Sequence, residues 1–154
     1  RMMNTNNHEN LTVRFVGQGS YMEPLKSLQH TLERKGNGIS VEVHGSIQHS
    51  EVPSVLRDSS ALVLPSYWEG MPTVILEAMA SGVPVISTPV GDVPQVIEHR
   101  KTGFIMDLSL FSFQESVDSV LSENTLIHKV IHNARTLIER EFSLKQVAQI
   151  ADLL

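Results

Sequence analysis

Short runs of β-branched and aliphatic residues alternate along this chain with stretches whose apolar positions recur every three or four residues. "LTVRFVG" (11–17) predicts a strand. "YMEPLKSLQHTLERKG" places Met22, Leu25, Leu28 and Leu32 on one helical face, and Gly36 closes it. "ISVEVHG" is a second strand. "SEVPSVLRDSS" predicts a short helix with Ser50 as N-cap and Pro53 in its first turns. "ALVLPS" is a third strand, and "MPTVILEAMASG" a helix with Pro72 near its first position and Gly82 at its end. "VPVISTP", "DVPQVIEH" and "TGFIM" follow as strand, short helix and strand. From Leu110 onward the pattern is helical. "FSLKQVAQIADLL" opens on Ser143 as N-cap with Gln146 three residues on, a capping-box pattern.

Strand and helix therefore alternate five times before helices finish the chain. The strands read as continuous apolar runs, which predicts parallel strands covered on both faces. The fold class is α/β: a doubly wound, Rossmann-like parallel sheet with a helical carboxyl-terminal tail. Such sheets bind ligands at the carboxyl ends of their strands. No repeat, low-complexity segment or linker interrupts residues 1–154, so one domain is expected.

Composition narrows the partners. The chain has 154 residues and a formal net charge of −5, a balance that argues against nucleic acid as the main partner. It contains no cysteine, which excludes disulfides, thiolate metal sites and a cysteine nucleophile. Apolar runs are interrupted well before membrane-spanning length. The opening "RMMNTNNHEN" lacks the apolar core of a signal peptide and reads as a polar loop.

Three strand ends collect candidate chemistry. In "FVGQGS", Gly17 and Gly19 form a Gly-x-Gly turn that suits either a phosphate or a plain tight connection. In "HGSIQHS", backbone groups are placed either to meet a planar base or simply to form a surface loop. The third is "SYWEGMPTVILEAMASG", where Glu69 precedes a helix and Glu77 lies inside it. The first N–H groups of a helix have no internal partner, and the dipole makes that end mildly positive. This helix is apolar nearly all round, which predicts burial, and a buried carboxylate needs donors. A ribose diol would supply two; backbone amides or an internal arginine would serve equally. His128 and His132 stand four apart on a predicted helix, but neither an HExxH motif nor a third ligand accompanies them, so solvated residues are expected. Ser66 lacks the G-x-S-x-G elbow of a serine nucleophile.

The stretch "LVLPSYWEGMPTVILEAMASGVPVISTPVGDVPQVIEHRKTGFIM" resembles the carboxyl-terminal, donor-binding domain of the retaining GT-B glycosyltransferases of family 4. The resemblance extends from "LTVRFVGQG" through "ISVEVHGSI" to "EFSLKQVAQIADLL", and its most specific part is the E-x7-E motif of Glu69 and Glu77. It implies transfer of a sugar from a nucleotide donor, such as a UDP-, GDP- or ADP-sugar, to an acceptor with retention at the anomeric carbon. No cofactor or metal is implied. Glu69 would lie against the donor sugar and help hold the developing positive charge. Gly70, Met71, Pro72 and Thr73 would form the loop over sugar and diphosphate, with the amides of Thr73 and Val74 directed at the phosphate. Glu77 would bind the ribose hydroxyls, the backbone near Ile47 would meet the base, and Gly17 would line the phosphate side.

Departures from the family pattern accompany this. Pro72 replaces a loop glycine and has no amide to give, and Gln95 stands where a glutamate is common, so no role is assigned to it. The family's diphosphate-neutralising Arg and Lys, the first strand and helix of the domain and the amino-terminal acceptor domain are expected in a longer parent chain. The fragment alone is expected to bind donor weakly and to turn over nothing. The expected setting is cytoplasmic, with the missing domain offering a route to an inner membrane face. A non-catalytic nucleotide- or sugar-binding module, or a nucleotide-sugar epimerase, would use the same fold.

Overall fold

The computed structural model describes residues 11–35 and 38–142. The expected polar opening loop, the closure at Gly36 and the capping box at Ser143 and Gln146 lie outside the described residues. The chain divides into two compact units, 1–51 and 52–154.

In the first unit, β1 (Leu11–Val16) and β2 (Ile39–His44) run parallel, joined by helix α1 (Met22–Lys35). Parallel neighbours need a crossover, and α1 supplies it. The register pairs Thr12 with Ser40 and Arg14 with Glu42. Both pairs are bonded through their side chains, at 2.8 Å and 2.7 Å. This corrects the expectation of continuous apolar burial: β1 alternates, with Leu11, Val13 and Phe15 half-buried and Thr12, Arg14 and Val16 exposed. Polar residues at every second position give one face of the ladder to water. Ser50 is not an N-cap. It lies inside a 3-10 turn, His49–Glu51, where the Gln48 amide donates to Glu51 Oε2 at 2.8 Å.

The second unit is built on β3 (Leu62–Leu64), β4 (Val85–Ser87) and β5 (Phe104–Ile105), parallel and in the order β3-β4-β5. Its helices are α2 (Val52–Arg57), α3 (Thr73–Ala80), α4 (Val93–Val96), α5 (Leu110–Ser122) and α6 (Asn124–Glu141). Successive strand residues point to opposite faces. Val85, Leu62, Leu64 and Ile105 join one core with Leu56, Ile75, Ala78, Met79, Val93 and Val96 from α2, α3 and α4. Ile86, Val63, Phe104 and Met106 join a second core with Val120 of α5 and Val130 of α6. Helices thus cover both faces, as the doubly wound expectation required. Each fully buried large side chain of this kind contributes about 1.5–3 kcal/mol. Helix α6 serves both layers: Val130 packs in the second core, Ala134 and Ile138 in the first.

Helix α3 ends where the sequence marks it. The Gly82 amide donates to the Met79 carbonyl and the Val83 amide to the Ala78 carbonyl, at 3.2 Å and 2.9 Å, with Gly82 at φ 76°. This is a Schellman closure, and it needs the left-handed conformation that glycine adopts freely. Pro84 then prevents the helix from continuing.

The turn that feeds β5 holds Arg100 at φ 61°, its amide bonded to the Gly103 carbonyl at 2.7 Å. The Arg100 guanidinium donates to Ser119 Oγ at 3.0 Å and to Glu123 Oε2 at 2.7 Å, tying this turn to the end of α5. The bond from Arg100, with help from Ser119, holds the Glu123 carboxyl below its ordinary value. A carboxyl lowered on folding stabilises above its unfolded value, and that contribution disappears as pH falls through the folded value. Glu123→Gln is therefore expected to lower the urea midpoint slightly near neutral pH. The gap should close under strongly acid conditions; a gap of constant size across the titration would count against it. Among the described residues, no helix is long and apolar enough to cross a membrane.

Candidate functional site

The carboxyl end of β3 delivers the chain into a loop that is held at two points. At its start, Thr88 Oγ1, just past β4, donates to the Ser66 carbonyl at 2.6 Å, and the Thr88 amide donates to the Leu64 carbonyl at 3.3 Å. Four residues on, the Asp92 amide donates to the Gly70 carbonyl at 3.1 Å. Gly91 sits at φ 56° directly beneath the loop, and a Cβ there would overlap the carbonyl oxygens of Glu69 and Gly70. Only glycine lets the two backbones approach this closely. Between the anchors, Tyr67 and Trp68 are each 85% exposed. The half-buried Glu69 carboxylate accepts a hydrogen bond from Ser66 Oγ at 2.7 Å.

From Gly70 the chain runs directly onto α3. Met71 packs against the first core, which fixes the approach. Pro72 is the N-cap residue, extended at φ −69° and ψ 114°, and no side chain caps the helix. The Ile75 amide donates to the Pro72 carbonyl at 3.1 Å, so the intrahelical ladder begins there. The amides of Thr73 and Val74 precede that ladder and have no acceptor within the helix. Between Asp58 and His99 the sequence holds no Lys or Arg, whereas Glu69, Glu77, Asp92 and Glu98 all lie there. The helix dipole makes this amino end mildly positive.

Glu77 is half-buried, a correction to the expected burial of α3. The helix buries Ile75, Ala78 and Met79 and exposes Thr73 and Ala80. Thr73 and Glu77 are four residues apart, about 6 Å along the axis, and share the face turned from the core. A run that is apolar in composition still has a side that the core does not reach.

The structure therefore brings Glu69, Gly70, Met71, Pro72, Thr73, Val74 and Glu77 together in one loop and the helix it starts. Gly17 and Ile47 belong to the first unit. Gly17, at φ 135°, donates its amide to the Gly45 carbonyl at 3.2 Å, so the exits of β1 and β2 lie side by side, two residues before the half-buried Ile47. Sequence reasoning missed Ser66, Thr88, Gly91 and Asp92 as parts of the loop's support. The Gly-Asp step before a proline-containing helix was a readable turn signal. What that turn packs against was not. Gln95, left without a role, donates to Asp92 Oδ1 at 2.8 Å. His128 and His132 are both exposed. No group of three or more His, Cys, Asp or Glu able to hold a metal ion is present among the described residues.

Comparison with known proteins bears on the family and the fold. The chain is 32% identical over 119 residues to sulfoquinovosyl transferase SQD2 of Arabidopsis thaliana, which covers 75% of this chain and 21% of the relative. It is 30% identical over 153 residues to the putative colanic acid biosynthesis glycosyltransferase WcaL of Salmonella typhimurium, covering 92% of this chain and 36% of the relative. The chain thus spans well under half the length of these relatives. Anabaena HepE, crystallised with UDP-glucose, shares the fold at a TM-score of 0.75 and 20% identity, over 93% of this chain and 41% of HepE. The profile of the family described as glycosyl transferases group 1 matches residues 2–137. This chain belongs to the glycosyl transferases group 1 family.

Proposed function

We propose that the chain is the donor-binding part of a glycosyltransferase that moves a sugar from a nucleotide donor to an acceptor with retention of anomeric configuration. One observation carries the reading: a loop pinned at Ser66 and Gly70 sets the Glu69 carboxylate at the carboxyl end of β3 and leads straight onto the uncapped start of α3. Unpaired amides at a helix start suit a phosphate, and a carboxylate beside them suits a sugar hydroxyl or a developing oxocarbenium charge. The relatives support it: SQD2 is named a sulfoquinovosyl transferase, WcaL a colanic acid glycosyltransferase, and HepE was crystallised with UDP-glucose.

In this reading the C1–O bond to the diphosphate breaks, the acceptor oxygen bonds to C1 on the same face, and the acceptor proton passes to the departing diphosphate oxygen. Glu69 steadies positive charge on the sugar. The amides of Thr73 and Val74 take up charge on the departing diphosphate, and Glu77 accepts from the ribose hydroxyls. The parts of Gly17 at the phosphate and of Ile47 at the base rest on the family resemblance. So do the acceptor domain elsewhere in the protein, the absence of a cofactor, and a cytoplasmic setting at a membrane face.

Titration with UDP, GDP and ADP, followed by backbone amide NMR, tests the site. The amides of Thr73 and Val74 are expected to shift with one of the three, together with Gly17 and residues flanking Ile47. Unmoved amides at all of these positions in millimolar nucleotide would overturn the assignment.

A further inference from the structure

We propose that Ser66 is a positioning residue for the Glu69 carboxylate, and that Thr88 positions Ser66 in turn. The inference rests on the donor-site reading of Glu69. Ser66 Oγ donates to Glu69 Oε1 at 2.7 Å, and among the described residues no other hydrogen bond to that carboxylate is present. A hydroxyl bonded to an ionised carboxylate makes a short, charge-assisted bond with a defined direction. The two side chains that precede Glu69 in the loop, Tyr67 and Trp68, are both 85% exposed.

The tether has a fixed base. Thr88 is only 3% exposed, and its Oγ1 donates to the Ser66 carbonyl at 2.6 Å. A β-branched side chain is stiff at χ1, and burial locks it further. Thr88 directly follows β4, where Val85, Ile86 and Ser87 are all fully buried. The placement of Glu69 is thereby referred, through two hydroxyls, to the most buried strand of the sheet. Preorganising a carboxylate in this way acts on the chemical step, since the group arrives already aimed. Ser66 was set aside as a nucleophile for want of an elbow motif; its hydroxyl instead serves the neighbouring acid.

The test uses the complete protein and a sugar-transfer assay. Ser66→Ala is expected to lower kcat by about tenfold, the loss of one hydrogen bond to a charged group, with KM within about twofold. Its melting temperature should stay near that of the wild type. Ser66→Thr, which keeps the hydroxyl, should recover most of the rate. Thr88→Val should behave like Ser66→Ala, and Thr88→Ser should restore activity. Because Ser66 acts through Glu69, Ser66→Ala combined with Glu69→Gln should be no slower than Glu69→Gln alone. A wild-type kcat for Ser66→Ala, or rate losses that multiply in the double variant, overturns the inference. If Glu69→Gln is slow while Ser66→Ala is not, only the positioning role fails. If Glu69→Gln itself transfers at the wild-type rate, the donor-site reading fails and this inference falls with it.

Discussion

Glu69→Gln in the complete protein is expected to lower kcat for sugar transfer by roughly a hundred- to a thousandfold, the range found when one preorganised electrostatic group is removed from a transition state. The substitution is chosen for its geometry. Glutamine keeps the side-chain length and an oxygen able to accept from Ser66 Oγ, now at 2.7 Å from Glu69 Oε1. Only the charge is withdrawn. Loop anchoring at Ser66 and Gly70 runs through backbone carbonyls, so the fold should be indifferent to the change. Nucleotide affinity, assigned to the amides of Thr73 and Val74 and to Glu77, should stay near wild type. Steady-state kinetics with a calorimetric titration of nucleotide would separate the two effects. A variant that transfers at the wild-type rate would remove Glu69 from catalysis.

Gly91→Ala is the second large effect, and it acts without touching a side chain of the site. Gly91 holds φ 56°, where an L-residue with a Cβ costs about 1–2 kcal/mol in backbone strain. The new Cβ would also overlap the carbonyl oxygens of Glu69 and Gly70. Those atoms are backbone and cannot swing aside. The loop must lift, and the Asp92 amide loses its 3.1 Å bond to Gly70. Displacement of a catalytic group by about 1 Å can cost about a hundredfold in rate. Gly91→Ala is thus expected to lose at least that much in kcat/KM, together with a fall in the denaturation midpoint. Full activity with an unchanged midpoint would mean that the loop does not depend on the turn beneath it.

Much of this architecture is legible in local sequence because local physics decides it. The limits of α3 follow from Pro72, which has no amide to donate, and from Gly82, which accepts a left-handed φ; both stand where the sequence places them. The spacing of Glu69 and Glu77 across a strand-to-helix step also reads directly. The support of the loop does not. Thr88 and Ser66 are 22 residues apart, and nothing in either short segment says that they meet. Gly91 announces a turn but not that the turn carries the Glu69–Gly70 peptide on its back. The exposure of α3 was misread because composition describes a helix as a whole, while burial depends on which side the neighbours occupy. In β1, Thr12 and Arg14 carry the alternation that a count of apolar residues hides. Their partners, Ser40 and Glu42, become visible only once the parallel register is known.

Helix α6 bears on how this unit comes apart. Its stripe of Val130, Ala134 and Ile138, each four residues from the next, starts in the core on one side of the β3-β4-β5 sheet and finishes in the core on the other. Residues four apart drift about 40° around a helix, so one helix can pass from layer to layer without a break. The two layers consequently share a structural member, and neither can loosen while the other stays intact. Melting of the unit should be a single cooperative event, and the loop hung from the ends of β3 and β4 keeps its shape up to that point and loses it all at once.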